Sequence, residues 1–173
     1  MANFAEFIPF DDKTPEFSLK GSCYYGRIVE QYDGDTLKCV INLFDSGRFV
    51  KFTFRMAGID TPEIKTATQH TAAIRARNRL MQLIIGEGSR ISIDTEYTKR
   101  DIIEIYKSGV YVVWIKCLGA DKYGRQLAEI YLTADSRVSL GEILIREGHA
   151  KSYDGKSKMG LWEHVDLGET GEL

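Results

Sequence analysis

Four carboxylates, a threonine and two arginines recur in short blocks whose residue types suit one kind of chemistry. Asp33-Gly34-Asp35-Thr36 and Asp60-Thr61-Pro62-Glu63 supply hard oxygen donors, and Arg55 and the Arg125 of Asp121-Lys122-Tyr123-Gly124-Arg125 supply forked cations. A hard divalent cation needs an oxygen-rich cleft, and a guanidinium matches the geometry of a phosphate. Together these types describe a metal-assisted site for a phosphodiester. Singly they say less: Asp-Gly is a common reverse-turn signal, and Asp60-Thr61-Pro62-Glu63 also reads as the acidic entry to a helix.

The blocks must be held by the elements between them. Ser22 to Glu30 is β-branched and aromatic, Asp33-Gly34 turns, and Thr36 to Leu43 follows as the second arm of a hairpin. Asp45-Ser46-Gly47 turns again. Phe49 to Met56 alternates, with Val50, Phe52, Phe54 and Met56 on a core face and Lys51, Thr53 and Arg55 on the other. Arg55 is thereby set near the strand end and the Asp60 turn.

Thr66 to Ile85 switches to helical spacing, its stripe formed by Ala73, Ile74, Leu80, Met81, Ile84 and Ile85, with Gly86 and Gly88 as the stop. Arg75, Arg77 and Arg79 read as its solvated side rather than as a phosphate-binding face. Arg90 to Glu96 reads as a fourth strand, Ile102 to Leu118 as an apolar hairpin whose second arm is buried on both faces, and Leu127 to Leu132 as a further strand. Ser139-Leu140-Gly141-Glu142 is a capping box for a short helix that Gly148 ends. Short strands, Gly-rich turns and few helices indicate an α+β domain built on a small barrel.

At 173 residues, 43% apolar and 28% charged, the chain matches one ordinary globular domain. A net charge of -2 provides no global basic field, so a polyanion must be held by local charge. Cys23, Cys39 and Cys117 lie in apolar strands, as reduced, buried thiols would. The first 20 residues lack a basic stretch leading into an apolar run, and no run suits a bilayer span, so the expectation is a soluble, intracellular monomer without membrane contact. Phe4, Phe7, Phe10 and Phe17 suggest an arm, 1–20, docked by its rings, ahead of a domain at 21–165 and a tail at 166–173.

The ordered blocks resemble the staphylococcal nuclease (thermonuclease) family, and the likeness extends through Leu127-Ala128, the Glu142 to Gly148 helix, Ala150-Lys151 and Gly160-Leu161-Trp162. That resemblance implies a five-stranded OB-type β-barrel with two to three helices, and Ca2+-dependent cleavage of DNA or RNA at the P–O5′ bond. It implies Asp35, Asp60 and the carbonyl of Thr61 as calcium ligands with Asp33 behind them, Glu63 on the attacking water, and Arg55 and Arg125 on the scissile phosphate. Lys122, Tyr123 and Tyr153 would meet a terminal phosphate, sugar or base. A β-hairpin around 98–110 is extra to the family's pattern. A catalytically silent OB-fold module for nucleic acid or protein is the alternative; such modules lack several of the acids, all present here.

Overall fold

The computed structural model describes residues 5–86, 88–155 and Trp162. Five strands close into a barrel in the order β1 (Cys23–Gln31), β2 (Thr36–Asn42), β3 (Phe49–Met56), β6 (Gln126–Tyr131), β5 (Val112–Ala120), with β5 returning to β1. All pairings are antiparallel except β3 with β6. Closure leaves the barrel no free edge. Strand alternation fills it: Ile28, Leu37, Cys39, Ile41, Phe54, Val113, Ile115 and Ile130 point inward and are buried. A bulge between Ile28 and Glu30 shifts the register, so Gln31, opposite Leu37, turns inward as well.

Outside the barrel, β4 (Ile59–Asp60) pairs antiparallel with β7 (Lys151–Ser152). Helix α1 (His70–Ile85) follows a 3-10 turn at Ala67–Gln69 and buries Ala73, Ile74, Leu80 and Met81 as its periodicity requires. It ends at Gly86, whose φ of 89° lies where side chains are costly. The capping box at Ser139 and Glu142 opens α3 (Leu140–Arg146).

Two expected strands are absent. Residues 98–110 form no hairpin: Lys99–Lys107 is a helix, α2, opened by a second capping box in which Thr98 Oγ1 accepts from Asp101 N at 3.2 Å and Asp101 Oδ2 accepts from Thr98 N at 2.9 Å. Its buried residues, Ile102 and Tyr106, are four apart, a helical period that the run of isoleucines disguises. Arg90 to Glu96 is irregular because Asn78, buried in α1, reaches the carbonyls of Ser92, Ile93 and Thr95 at 2.7–3.0 Å and so diverts them from any ladder.

Other details also differ. Strand β5 is not buried on both faces but alternates, Val113 and Ile115 inside and Val112 exposed. Phe7, Phe10 and Phe17 are exposed, and among the described residues of the N-terminal arm it is Leu19 that enters the core; Phe4 lies outside the described residues. Cys39 and Cys117 are buried but Cys23 is exposed, all three being free thiols. The three α1 arginines are structural: Arg75 pairs with Asp94, Arg79 with Glu147, and Arg77 is buried, donating to Tyr97 O. No helix of the described residues is long and apolar enough to cross a membrane.

Candidate active site

The two acidic blocks meet because β2 and β3 are neighbours. Their register sets Thr36 opposite Arg55, and Met56 N donates to Asp35 O at 2.8 Å, so the β1–β2 turn lies against the end of β3. Gly34 is needed there for closeness, not for an unusual φ: a Cβ would stand 2.8 Å from Thr61 Cγ2 and 3.0 Å from Ala76 Cβ. The pairing of β4 with β7 fixes Asp60 from the other side, and Tyr153 N, just past β7, donates to Gly58 O at 2.9 Å.

Arg55 joins the two blocks. Its Nη1 donates to Asp35 Oδ1 at 2.6 Å and its Nη2 to Asp60 Oδ1 at 2.9 Å, with Ile59 O at 3.4 Å. All three ionised side chains are buried. Burial pulls the guanidinium's pKa down, but the adjacent Asp35 and Asp60 charges more than offset it, and the pKa lies above its ordinary value. Asp35 Oδ1 also accepts from Thr36 Oγ1 at 2.9 Å, Asp35 Oδ2 faces Thr61 N at 3.4 Å, and Asp60 Oδ2 accepts from Trp162 Nε1 at 2.9 Å. Asp33 supports this turn through Oδ1, which accepts from Asp35 N at 3.1 Å. Burial, and after it the Asp35 charge, push the Asp33 carboxyl up to about 7.

Above this buried triad opens a cleft of about 1000 Å3 lined by Asp33, Arg55, Glu63, Lys122, Tyr123, Arg125 and Tyr153. The structure thus gathers seven of the ten expected residues around one space. Asp35 and Asp60 are buried and linked to that lining by Arg55, and the buried Thr61 meets Asp35 Oδ2 through its backbone N–H. Glu63 is exposed at the rim; its backbone N–H donates to Gln69 Oε1 at 2.8 Å, which fixes the loop that carries it.

The opposite wall is the β5–β6 turn, organised by Asp121. Asp121 Oδ1 accepts from the backbone amides of Tyr123 and Arg125 at 2.8 and 3.0 Å, and Asp121 Oδ2 accepts from Arg125 Nε at 2.7 Å. Burial raises the Asp121 pKa, the Arg125 and Tyr123 donors lower it, and the balance is below the ordinary carboxylate value. Lys122 and Arg125 both lie over the exposed Tyr123 ring, at 5.1 and 5.5 Å from its centroid.

Asp121, Gln69 and Gln31 carry no role of their own in the sequence pattern, where Trp162 figures only within Gly160-Leu161-Trp162. The Asp-x-x-x-Arg spacing across a Gly turn was the available signal for Asp121; Gln69 and Trp162 act across distances that no local pattern reveals. Leu161 and Gly160 lie outside the described residues.

Among the described residues no cluster of three or more His, Cys, Asp or Glu side chains forms a metal cage. The donor set is smaller and of the right type: two carboxylates meeting on one guanidinium fork, with the backbone of Thr61 beside Asp35. Carboxylate and carbonyl oxygens are what Ca2+ takes, and each carboxylate oxygen can serve a hydrogen-bond donor and a cation together. The residues present therefore fit a calcium ion in the chemistry of their donors.

A family model described as staphylococcal nuclease homologue matches residues 53–164. The chain belongs to that family. The matched span of this staphylococcal nuclease homologue holds Arg55, Asp60, Thr61, Glu63, Lys122, Tyr123, Arg125 and Tyr153, whereas Asp33 and Asp35 precede it and are joined to it by the contacts described above. The chain is 30% identical over 140 residues to the uncharacterized protein MJ1439 of Methanocaldococcus jannaschii, an alignment covering 75% of this chain. It spans 59% of the length of that relative.

Proposed function

We propose that this staphylococcal nuclease homologue is a calcium-dependent nuclease that hydrolyses phosphodiester bonds of DNA or RNA at the P–O5′ bond. The observation that carries the reading is the Arg55 fork, which draws Asp35 and Asp60 together under a cleft that Glu63 and Arg125 line. Asp35, Asp60 and the Thr61 carbonyl would hold the ion, which when bound supplies Lewis-acid stabilisation of phosphoryl charge.

The chain's own residues account for the remaining steps. Glu63 at the rim orients the attacking water and takes its proton as the water oxygen bonds to phosphorus and the P–O5′ bond breaks opposite it; the departing 5′ oxygen leaves with a solvent proton. Arg125 and Arg55 donate to the equatorial phosphoryl oxygens, whose charge grows in the transition state. A guanidinium has five N–H donors, more than the Arg55 contacts to Asp35, Asp60 and Ile59 use. Lys122, Tyr123 and Tyr153 hold the flanking phosphate, sugar or base along the cleft.

The second reading, a binding module without turnover, is favoured by the same fork, since Arg55 already pairs with both carboxylates. Purified protein incubated with denatured DNA, in calcium and in chelator, separates the two. Degradation in calcium alone is expected; intact DNA under calcium removes the enzyme.

A further inference from the structure

The cleft opens onto an outer barrel face whose residues form an ordered series. From the cleft-lining pair Thr36 and Arg55, the next outward pair across β2 and β3 is Lys38 and Thr53, and the next is Val40 and Lys51, with Arg27 on the far side of Val40. One further step along the strands come the exposed rings of Tyr25 on β1 and Phe49 on β3. Trp114, opposite Tyr25 on β5, packs edge-on against it with ring centroids 4.7 Å apart. Lys51 lies four positions before Arg55 on β3, about 14 Å at the ~3.4 Å rise of an antiparallel strand.

Charge and shape change along this series. Arg27, Lys51 and Lys107 line a groove of about 340 Å3 with Val29, Ile103 and Tyr106 between β1 and α2. Glu30, also at the groove, is already held by Lys38 Nζ at 2.9 Å and Lys99 Nζ at 3.1 Å, and Lys107 Nζ meets Glu104 Oε1 at 2.8 Å. Arg27 Nη2 donates to the neutral Gly109 O at 3.3 Å, so its charge stays on the surface. Five cations against two carboxylates make this face basic on a molecule of net charge -2.

We propose that this outer face is a second nucleic-acid site, a track on which a single strand leaving the cleft sets its phosphates on Lys51 and Arg27 and stacks bases on Tyr25 and Trp114. Cations that follow a backbone, next to exposed rings, are what binds single strands without regard to sequence. An apolar protein partner would leave the row of cations unused. The track deepens the nuclease reading, because it begins where the cleft ends.

Fluorescence anisotropy of a labelled dT16 oligonucleotide in chelator, where no cleavage is expected, tests the track. Each lost phosphate contact on a single strand lowers the slope of log K against log salt by about 0.7. The R27A/K51A variant should therefore lose about 1.4 from the slope and bind dT16 about 25-fold more weakly at 0.1 M salt. Tyr25→Leu, which keeps apolar bulk and removes the stacking ring, should weaken binding at least about fivefold. Wild-type affinity and slope in both variants, or no dT16 binding by the wild type, would overturn the track. Cleavage of denatured DNA by the wild type in calcium, followed in parallel, reports on the nuclease reading alone.

Discussion

Arg55 Nη1 stands 2.6 Å from Asp35 Oδ1 while the other arm of the same guanidinium stands 2.9 Å from Asp60 Oδ1, so one cation holds together two acids 25 positions apart in the chain. Removing one member of a buried ion pair costs about 3–5 kcal/mol, because the charges left behind have no water to return to. Arg55→Ala should lose about that much stability in urea melts. Calcium should restore part of the loss, since it answers the same two carboxylates and stabilises the folded state in proportion to its binding. An equal loss with calcium and with chelator would detach the ion from Asp35 and Asp60.

Glu63 is exposed at the cleft rim, and its backbone N–H donates to Gln69 Oε1. Glu63→Gln keeps size and shape and removes the base. Calcium affinity by calorimetry should change little, while kcat falls by about 10²-fold or more, the scale of general-base catalysis. Normal turnover would take Glu63 out of the mechanism.

Arg125 owes its direction to Asp121, which holds its side chain and the two backbone amides of the same turn. Arg125→Ala should lower kcat by about 10²- to 10³-fold, as loss of a transition-state donor does, with little change in melting temperature because the pair is partly exposed. Asp121→Ala leaves the guanidinium present but unaimed, so it should lower kcat in the same direction by less, and raise KM as Tyr123 and Lys122 shift. A variant with wild-type kcat and KM would show that the turn is set without Asp121.

The barrel was legible wherever burial enforced alternation: β1, β2 and β3 follow their inward residues, and the turn glycines and the Ser139 capping box fall where expected. The residues of the candidate site were legible as types in order, because each block is a local motif. Two kinds of feature were not. A second capping box, Thr98 with Asp101, stood before a run of isoleucines that suits helix or strand equally, and only the four-residue spacing of Ile102 and Tyr106 decides it. Asn78 and Gln31 are polar residues whose partners are carbonyls far along the chain, and no periodicity announces them.

Arg79 and Glu147 tie α1 to the end of α3 through two bonds, Nε to Oε2 at 2.6 Å and Nη2 to Oε1 at 2.8 Å. The hydrogen bonds from Arg79 are the main reason that the Glu147 pKa lies below its ordinary 4.5. A carboxylate with a depressed folded-state pKa adds stability that is full above the unfolded value and is lost as pH falls through the folded one. Stability of the wild type should therefore decline relative to Glu147→Gln as pH drops from 4.5. The difference should be within about 1 kcal/mol, since both side chains are about one-third exposed. Parallel urea midpoints at pH 7 and pH 3 measure it, and a constant gap would mean that the pair contributes nothing.

Helix α2 reaches the acidic turn through one buried chain of hydrogen bonds. Tyr106 Oη donates to Gln31 Oε1 at 2.6 Å, and Gln31 Nε2 donates to Asp33 O at 2.9 Å and to Arg77 O at 2.8 Å. Burial pushes the Tyr106 phenol well above its ordinary pKa, so it stays protonated and remains the donor. Tyr106→Phe leaves the Gln31 oxygen buried without that donor and should cost about 1–3 kcal/mol. Gln31→Leu removes both ends of the relay. If the chain acts as a unit, the double variant should be more stable than the sum of the single losses predicts, by about 0.5–3 kcal/mol. Additive losses in urea would show that α2 supports the barrel only through Ile102 and the Tyr106 ring, and that the turn bearing Asp33 is held without it.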